Sequence, residues 1–143
     1  MVKTENNFTI IRDEETGGAG VEFGLILPVL LLILIAIIEY GWLMTTRIVL
    51  FNSVSAGARA GIKADEFDGE DPEVFARMAV KESFWVGALE DDQILAEIED
   101  EGDSVPRRIN VRVEKWLYQP ITGYLPEKML PDVLAAKSVM AFP

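Results

Sequence analysis

Gly17-Gly18-Ala19-Gly20-Val21-Glu22-Phe23-Gly24-Leu25-Ile26-Leu27-Pro28, running on through residues 29–38, is the stretch whose reading decides how this chain is built. From Val21 to Met44 only Glu22 and Glu39 are charged, one near each end. As a helix rising about 1.5 Å per residue, that length reaches roughly 36 Å, enough for a hydrocarbon core of about 30 Å. The charge-free part, 23–38, is slightly short alone, so Tyr40, Trp42 and Leu43 are needed to complete the span. Tyr40 and Trp42 also suit an interfacial aromatic belt. Glu22 is the anomaly, because a carboxylate costs roughly 2.5–3.5 kcal/mol near the bilayer centre and less toward its surface. Some interaction must offset it.

Three simpler readings compete. A buried helix of a soluble protein fails because so small a chain could hardly enclose a helix that is apolar on every side. A cleavable secretory signal fails because the run is long and the small residues Ala56-Gly57-Ala58 come too far downstream to serve as its cut site. A plain uncleaved anchor is the serious competitor. Basic residues do not decide orientation: Lys3 and Arg12 precede the span, while Arg47, Arg59 and Lys63 follow it.

Composition narrows the rest. Of 143 residues, one span and its flanks leave about 80 for a single small domain. Cysteine and histidine are both absent, which excludes disulfide staples, Cys/His zinc sites and His-based acid–base catalysis. A net charge of −11 opposes nucleic-acid binding and adhesion to anionic lipid, and favours solubility of an exported portion. No cofactor is expected. Ser/Lys chemistry has no spacing to recommend it, so the chain reads as non-enzymatic.

Residues 1–17 form a polar leader with the acidic cluster Asp13-Glu14-Glu15 and no periodicity, and are expected to lack fixed structure. Beyond the span the helix is expected to continue, with Ile48, Phe51, Ser55, Ala58 and Ile62 on one face. Gly20 and Gly24, like Gly57 and Gly61, stand four apart, so each pair opens a flat stripe for another helix. The acidic segment 65–71 ends this helix; it and the acidic run 99–103 read as solvated linker and hairpin loop, since neither has the spacing of a calcium loop. Asp71-Pro72-Glu73 starts a second helix, with Asp71 as N-cap and Pro72 in the first turn. Its expected apolar stripe is Phe75, Met78, Ala79, Trp85, Val86 and Leu89, with Glu82 a misfit and Gly87 at the fraying end.

Alternating strands follow: Ile94, Ala96 and Ile98, then Ile109, Val111 and Val113. A bulge near Glu114 would bring Trp116 and Tyr118 back to the apolar face. After a Pro-bounded excursion through Pro120–Pro131, a last strand sets Leu134, Ala136, Ser138 and Met140 on one face. The expected fold is α+β: a long N-terminal transmembrane helix, then one helix packed on a three-stranded antiparallel sheet. Its parts are a leader (1–17), the helix and its extension (18–63) and a small domain (64–143).

The chain resembles the TadE-like proteins, pseudopilins or minor pilins of the tight-adherence (Tad) pilus system. The resemblance rests on the block from Gly17 to Pro28, on Ile38-Glu39-Tyr40-Gly41 and on Asn52-Ser53-Val54-Ser55-Ala56-Gly57-Ala58-Arg59-Ala60. Tyr118-Gln119-Pro120 through Leu125-Pro126, and Ala135–Met140, resemble the family's closing region more loosely. The TadF-like sister group shares the opening block. Two departures are the acidic leader, where family leaders are usually basic, and Gly24, where alanine-like residues are common.

The resemblance implies that a prepilin peptidase cuts between Gly17 and Gly18, and that Glu22 pairs with an N-terminal amine during assembly. It also implies a bacterial inner-membrane location, an extracytoplasmic C-terminal domain, and work in assembly, priming or capping of a type IVb (Tad) pilus. The implied partners are the peptidase, an assembly ATPase and platform, the major pilin, other minor pilins and membrane lipid. Pro28 should free the Gly24 carbonyl and bend the helix. Glu39 is expected to face water at the outer interface or, failing that, a partner helix. The alternative function is a single-pass, membrane-anchored extracytoplasmic binding module unrelated to pili.

Overall fold

In the computed structural model, which describes residues 12–65, 71–100, 102 and 106–143, the apolar run lies inside one helix, α1 (Arg12–Asp65), continuous through Pro28. The helix starts upstream of Gly17, which corrects the expectation of an unstructured leader for residues 12–17. Residues 1–11 lie outside the described residues, as do 66–70 of the acidic segment that follows α1 and residues 101 and 103 of the second acidic run.

The chain divides into two units, Met1–Ile38 and Glu39–Pro143. In the first, most large side chains from Val21 to Ile38 are exposed, Leu25 at 74 %. By length and composition this helix can cross a membrane, and none of its most apolar segment is buried within the chain. A helix apolar all round and covered by none of the described residues is at home in lipid or against other helices.

The second unit takes in the rest of α1, well upstream of the boundary at residue 64 that the sequence suggests. The reason is packing: Leu43, Leu50, Val54 and Ala58 of α1 belong to its core. With them come α2 (Pro72–Ser83) and a sheet of β1 (Ile94–Glu99), β2 (Arg108–Leu117) and β3 (Val133–Ala141). The strands are antiparallel in the order β1-β2-β3. Ile94 faces Val113 and Ala96 faces Val111 across one ladder; Val111 faces Ser138 and Val113 faces Ala136 across the other. These residues share the covered face. The α+β class and the three-stranded antiparallel sheet are therefore as read from the sequence. The β2–β3 register slips between Val113 and Trp116, where Lys115 takes φ 59°, and the slip returns Trp116 and Tyr118 to the buried side. A left-handed residue in a bulge turns the strand by one position.

Two helix faces differ from the sequence reading. On α1, Ile48 and Phe51 are exposed, and the buried line is Glu39, Leu43, Thr46, Leu50, Ser53, Gly57, Gly61 and Ala64, with Val54 and Ala58 beside it. On α2, Met78 is exposed and Phe75 lies at the margin, whereas Ala76, Val80 and the C-cap residue Phe84 are buried. Both misreadings share one cause. The two helices meet through their smallest residues, so the largest side chains point away. A Cβ on Gly57 would lie 2.8 Å from the Ala76 carbonyl oxygen and collide with Val80. One on Gly61 would lie 3.0 Å from the Pro72 carbonyl and collide with Ile109. The buried hydroxyls are satisfied within the helix: Thr46 donates to the Trp42 carbonyl at 3.0 Å and Ser53 to that of Val49 at 2.9 Å.

Helix α2 opens as expected, with the Asp71 carboxylate accepting from the Glu73 amide at 3.0 Å. It closes at Ser83, before Gly87, which corrects the expected end. Of the rest of the expected stripe, Leu89 is buried, Ala79 and Val86 are half-buried, and Trp85 is exposed. Gly87 serves a different purpose, since a Cβ there would come within 2.9 Å of the Trp116 ring. Trp116 meets Phe84 edge-on at 5.2 Å and donates from Nε1 to the Ala88 carbonyl at 3.2 Å.

The glycine contact yields a contrast. Gly57→Ala should lower the stability of the second unit by about 1–3 kcal/mol through overpacking. Gly41→Ala, with nothing within 4 Å of the new methyl group, should raise it by up to about 1 kcal/mol through helix propensity. Unfolding of the purified full chain in detergent checks both, and equal shifts would rule out close packing at Gly57.

Candidate functional site

Helix α1 carries two carboxylates in opposite circumstances. Glu22 sits in the first unit with its side chain exposed among exposed apolar neighbours, Val21 and Phe23. Gly17 and Gly18 precede it in the same helix, and a Cβ at Gly18, Gly20 or Gly24 would meet nothing within 4 Å. That stretch is sterically open. The Gly20/Gly24 pair is bare, whereas the Gly57/Gly61 pair is occupied by α2 and β2 of the same chain.

Glu39 is fully buried. This corrects the expectation that it faces water or a partner helix. Its partners come from the segment between β2 and β3. Oε1 accepts from the Tyr118 hydroxyl at 3.1 Å and from the Ile121 amide at 3.0 Å. Oε2 accepts from the Thr122 amide at 2.9 Å and from the Thr122 hydroxyl. Four neutral donors thus surround one carboxylate. Hydrogen bonds to a charged group contribute about 1.5–3 kcal/mol each, which offsets a burial cost of several kcal/mol.

Local sequence explains why those donors are free. Pro120 fixes its own φ and contributes no amide, and Gly123 takes φ +67°, which closes the turn tightly. Between them the amides of Ile121 and Thr122 have no strand partner and point together at the carboxylate, as paired amides do in anion-binding nests. Two more ties hold this segment to the adjoining helical turn. The Tyr40 hydroxyl donates to the Met129 carbonyl at 3.2 Å, and Trp42 Nε1 donates to the Gln119 carbonyl at 3.2 Å. Sequence reasoning missed this junction. Its signal was available: an acid inside an apolar helix needs donors, and Pro-Ile-Thr-Gly is a turn with amides to spare.

The arrangement binds a segment of the domain to α1 where the apolar run ends. Among the described residues no group of three or more acidic side chains could hold a metal ion. Burial, together with the hydrogen bond and the charge of Glu39, pushes the Tyr118 hydroxyl up to about 12.

Removing the carboxylate should therefore be costly. Glu39→Ala strands four donors and should destabilise the second unit by about 3 kcal/mol or more; Thr122→Val removes one hydroxyl and should cost about 1–2 kcal/mol. Denaturant unfolding ranks the two, and protease cleavage after Tyr124 should accelerate in the same order. A second expectation concerns alkali. Because Tyr118 holds its proton up to about 12 rather than the ordinary 10, the unfolded chain loses that proton first. Stability should fall as pH rises through that window, and Tyr118→Phe should remove that part of the slope.

Comparison with known proteins bears on the helix. Residues 17–59 match the sequence model of the family described as TadE-like protein. No curated protein and no solved structure matches the chain. The match takes in the glycines at 17 and 18, both glutamates and Gly57, and ends before the sheet begins. Over residues 17–59, this chain is thus similar to the TadE-like family.

Proposed function

We propose that this chain is a non-enzymatic pseudopilin or minor pilin of a Tad (type IVb) pilus, acting in its assembly, priming or capping. The observation that carries the reading is the family match over the segment that holds Gly17, Gly18 and Glu22, on a helix whose most apolar stretch the described residues leave uncovered. In this reading the protein is a single-pass protein of the bacterial inner membrane with its C-terminal domain outside the cytoplasm. A prepilin peptidase cuts between Gly17 and Gly18, and the new ammonium group pairs with Glu22 of the same or a neighbouring subunit. Either charge alone is costly in an apolar filament core, whereas a pair about 4 Å apart attracts strongly at low dielectric. The assembly ATPase, the platform, the major pilin and other minor pilins are the partners this role requires.

The test is the intact mass and N-terminal residue of membrane-extracted protein, with and without a functional prepilin peptidase. A peptidase-dependent start at Gly18 is expected. A start at Met1 under both conditions would leave a plain anchored binding module. Gly17→Leu should block maturation, because a tight glycine site admits no side chain. Glu22→Ala should be cut normally but reduce pilus yield, and wild-type yield from it would remove the assembly role.

A further inference from the structure

We propose that the segment between β2 and β3 is a membrane-contacting collar, whose tip, Ile121, Tyr124 and Met129, rests in the headgroup region of the bilayer that α1 crosses. The proposal rests on the membrane-span reading above. Three observations carry it. The first is position: Glu39, Tyr40 and Trp42 hold Ile121–Thr122, Met129 and Gln119 respectively, and Glu39 directly follows the apolar run. If 21–38 fills the hydrocarbon at about 1.5 Å per residue, it covers roughly 27 Å of a core about 30 Å thick. The bilayer surface then falls at the turn to which the segment is tied.

The second is exposure. Ile121 and Met129 are each 57 % exposed and Tyr124 is 79 % exposed, although the backbone at Ile121 and Met129 is held by hydrogen bonds. Tyr124 joins Tyr40 and Trp42 as a third amphipathic aromatic at that level, the residue type that prefers the membrane interface. The third is charge. Charged residues make up 26 % of the chain, yet none occurs from Trp116 to Pro126. A chain of net charge −11 is repelled by anionic headgroups as a whole, and the tip largely escapes that penalty, because 116–126 is uncharged and the adjacent Glu127 and Lys128 are opposite in sign. Lipid is the occupant these features favour, because the segment is tied to the residues that directly follow the span and exposes apolar and aromatic side chains.

The chain has no cysteine, so single-cysteine labelling is clean. Leu31→Cys, Tyr124→Cys and Val139→Cys each receive an environment-sensitive fluorophore in the full chain, reconstituted in phosphatidylcholine–phosphatidylglycerol vesicles. Nitroxide lipids quench at the headgroup or deep in the chains. The label at 31 should be quenched by the deep nitroxide. The label at 124 should shift to the blue and be quenched by the headgroup nitroxide. The label on Val139, exposed on the sheet, should show neither effect. Quenching at 31 with aqueous behaviour at 124 would overturn the collar and leave the span intact. No quenching at 31 would remove the span and the collar with it. A blue shift at 124 that vanishes on dilution with excess lipid would assign the tip to a second copy of the chain and overturn the proposal.

Discussion

Everything in the second unit is arranged around one buried carboxylate. Glu39 cannot leave its helix, and burial without partners would cost more than most single contacts return. The chain meets that demand with the Tyr118 hydroxyl, the Thr122 hydroxyl and two consecutive amides. Each donor has its own precondition. Tyr118 reaches the carboxylate only because the bulge at Lys115 turns the end of β2 inward. Ile121 and Thr122 offer free amides only because Pro120 and Gly123 shape the turn. The carboxylate thus couples the register of the sheet to a position on the helix 79 to 83 residues earlier in sequence, a long-range constraint rather than a local one. Such a contact also has direction: a slide of α1 by one residue would turn Glu39 away from all four donors.

Small residues supply the complementary constraint farther along α1. Gly57 and Gly61 admit α2 and Ile109 at distances that no side chain would allow, so the helices approach along a narrow line instead of through bulky ridges. Close approach of this kind gains dispersion energy from backbone atoms. It also leaves the larger residues Met44, Ile48 and Phe51 exposed on the opposite side of the helix. Glu39 and the glycine pair lie on one buried line and fix both ends of the helical half that belongs to the domain.

How legible this was depended on residue size. The long apolar helix, the cap at Asp71, the three strands and the bulge before Trp116 could all be read, because each rests on a local pattern in large or conformationally special residues. The buried faces of both helices could not be read by the same means. Periodicity weighs hydrophobic bulk, and here Gly, Ala, Ser, Thr and one Glu share the buried faces with Leu43, Leu50, Val54 and Val80, while Ile48, Phe51 and Met78 look like core and are not. The glycine spacing at 57 and 61 marked a close approach but not its partner. Of the candidate site, Gly17, Gly18 and Glu22 were recognisable as a block, but the junction at Glu39 was not, because its donors lie far away in the chain and two of them are backbone amides that no side-chain motif reports.

The two glutamates of α1 together show which one is left for something outside the chain. An acid in an apolar helix must find donors, a cation or water. Glu39 has found its donors within its own chain, and both of its oxygens are occupied. Glu22, by contrast, has an exposed side chain on a stretch whose glycines are sterically open. A carboxylate whose needs are met internally contributes to folding and gives little to a partner. One whose needs are unmet gains most from a partner that brings positive charge into the same apolar surroundings, since attraction there is strongest. In the proposed assembly the peptidase creates that charge at Gly18, on the same face of the same helix within about one turn. The division of labour in that proposal is physical: Glu39 holds the domain to its helix, and Glu22 is left to hold the helix to its assembly partner.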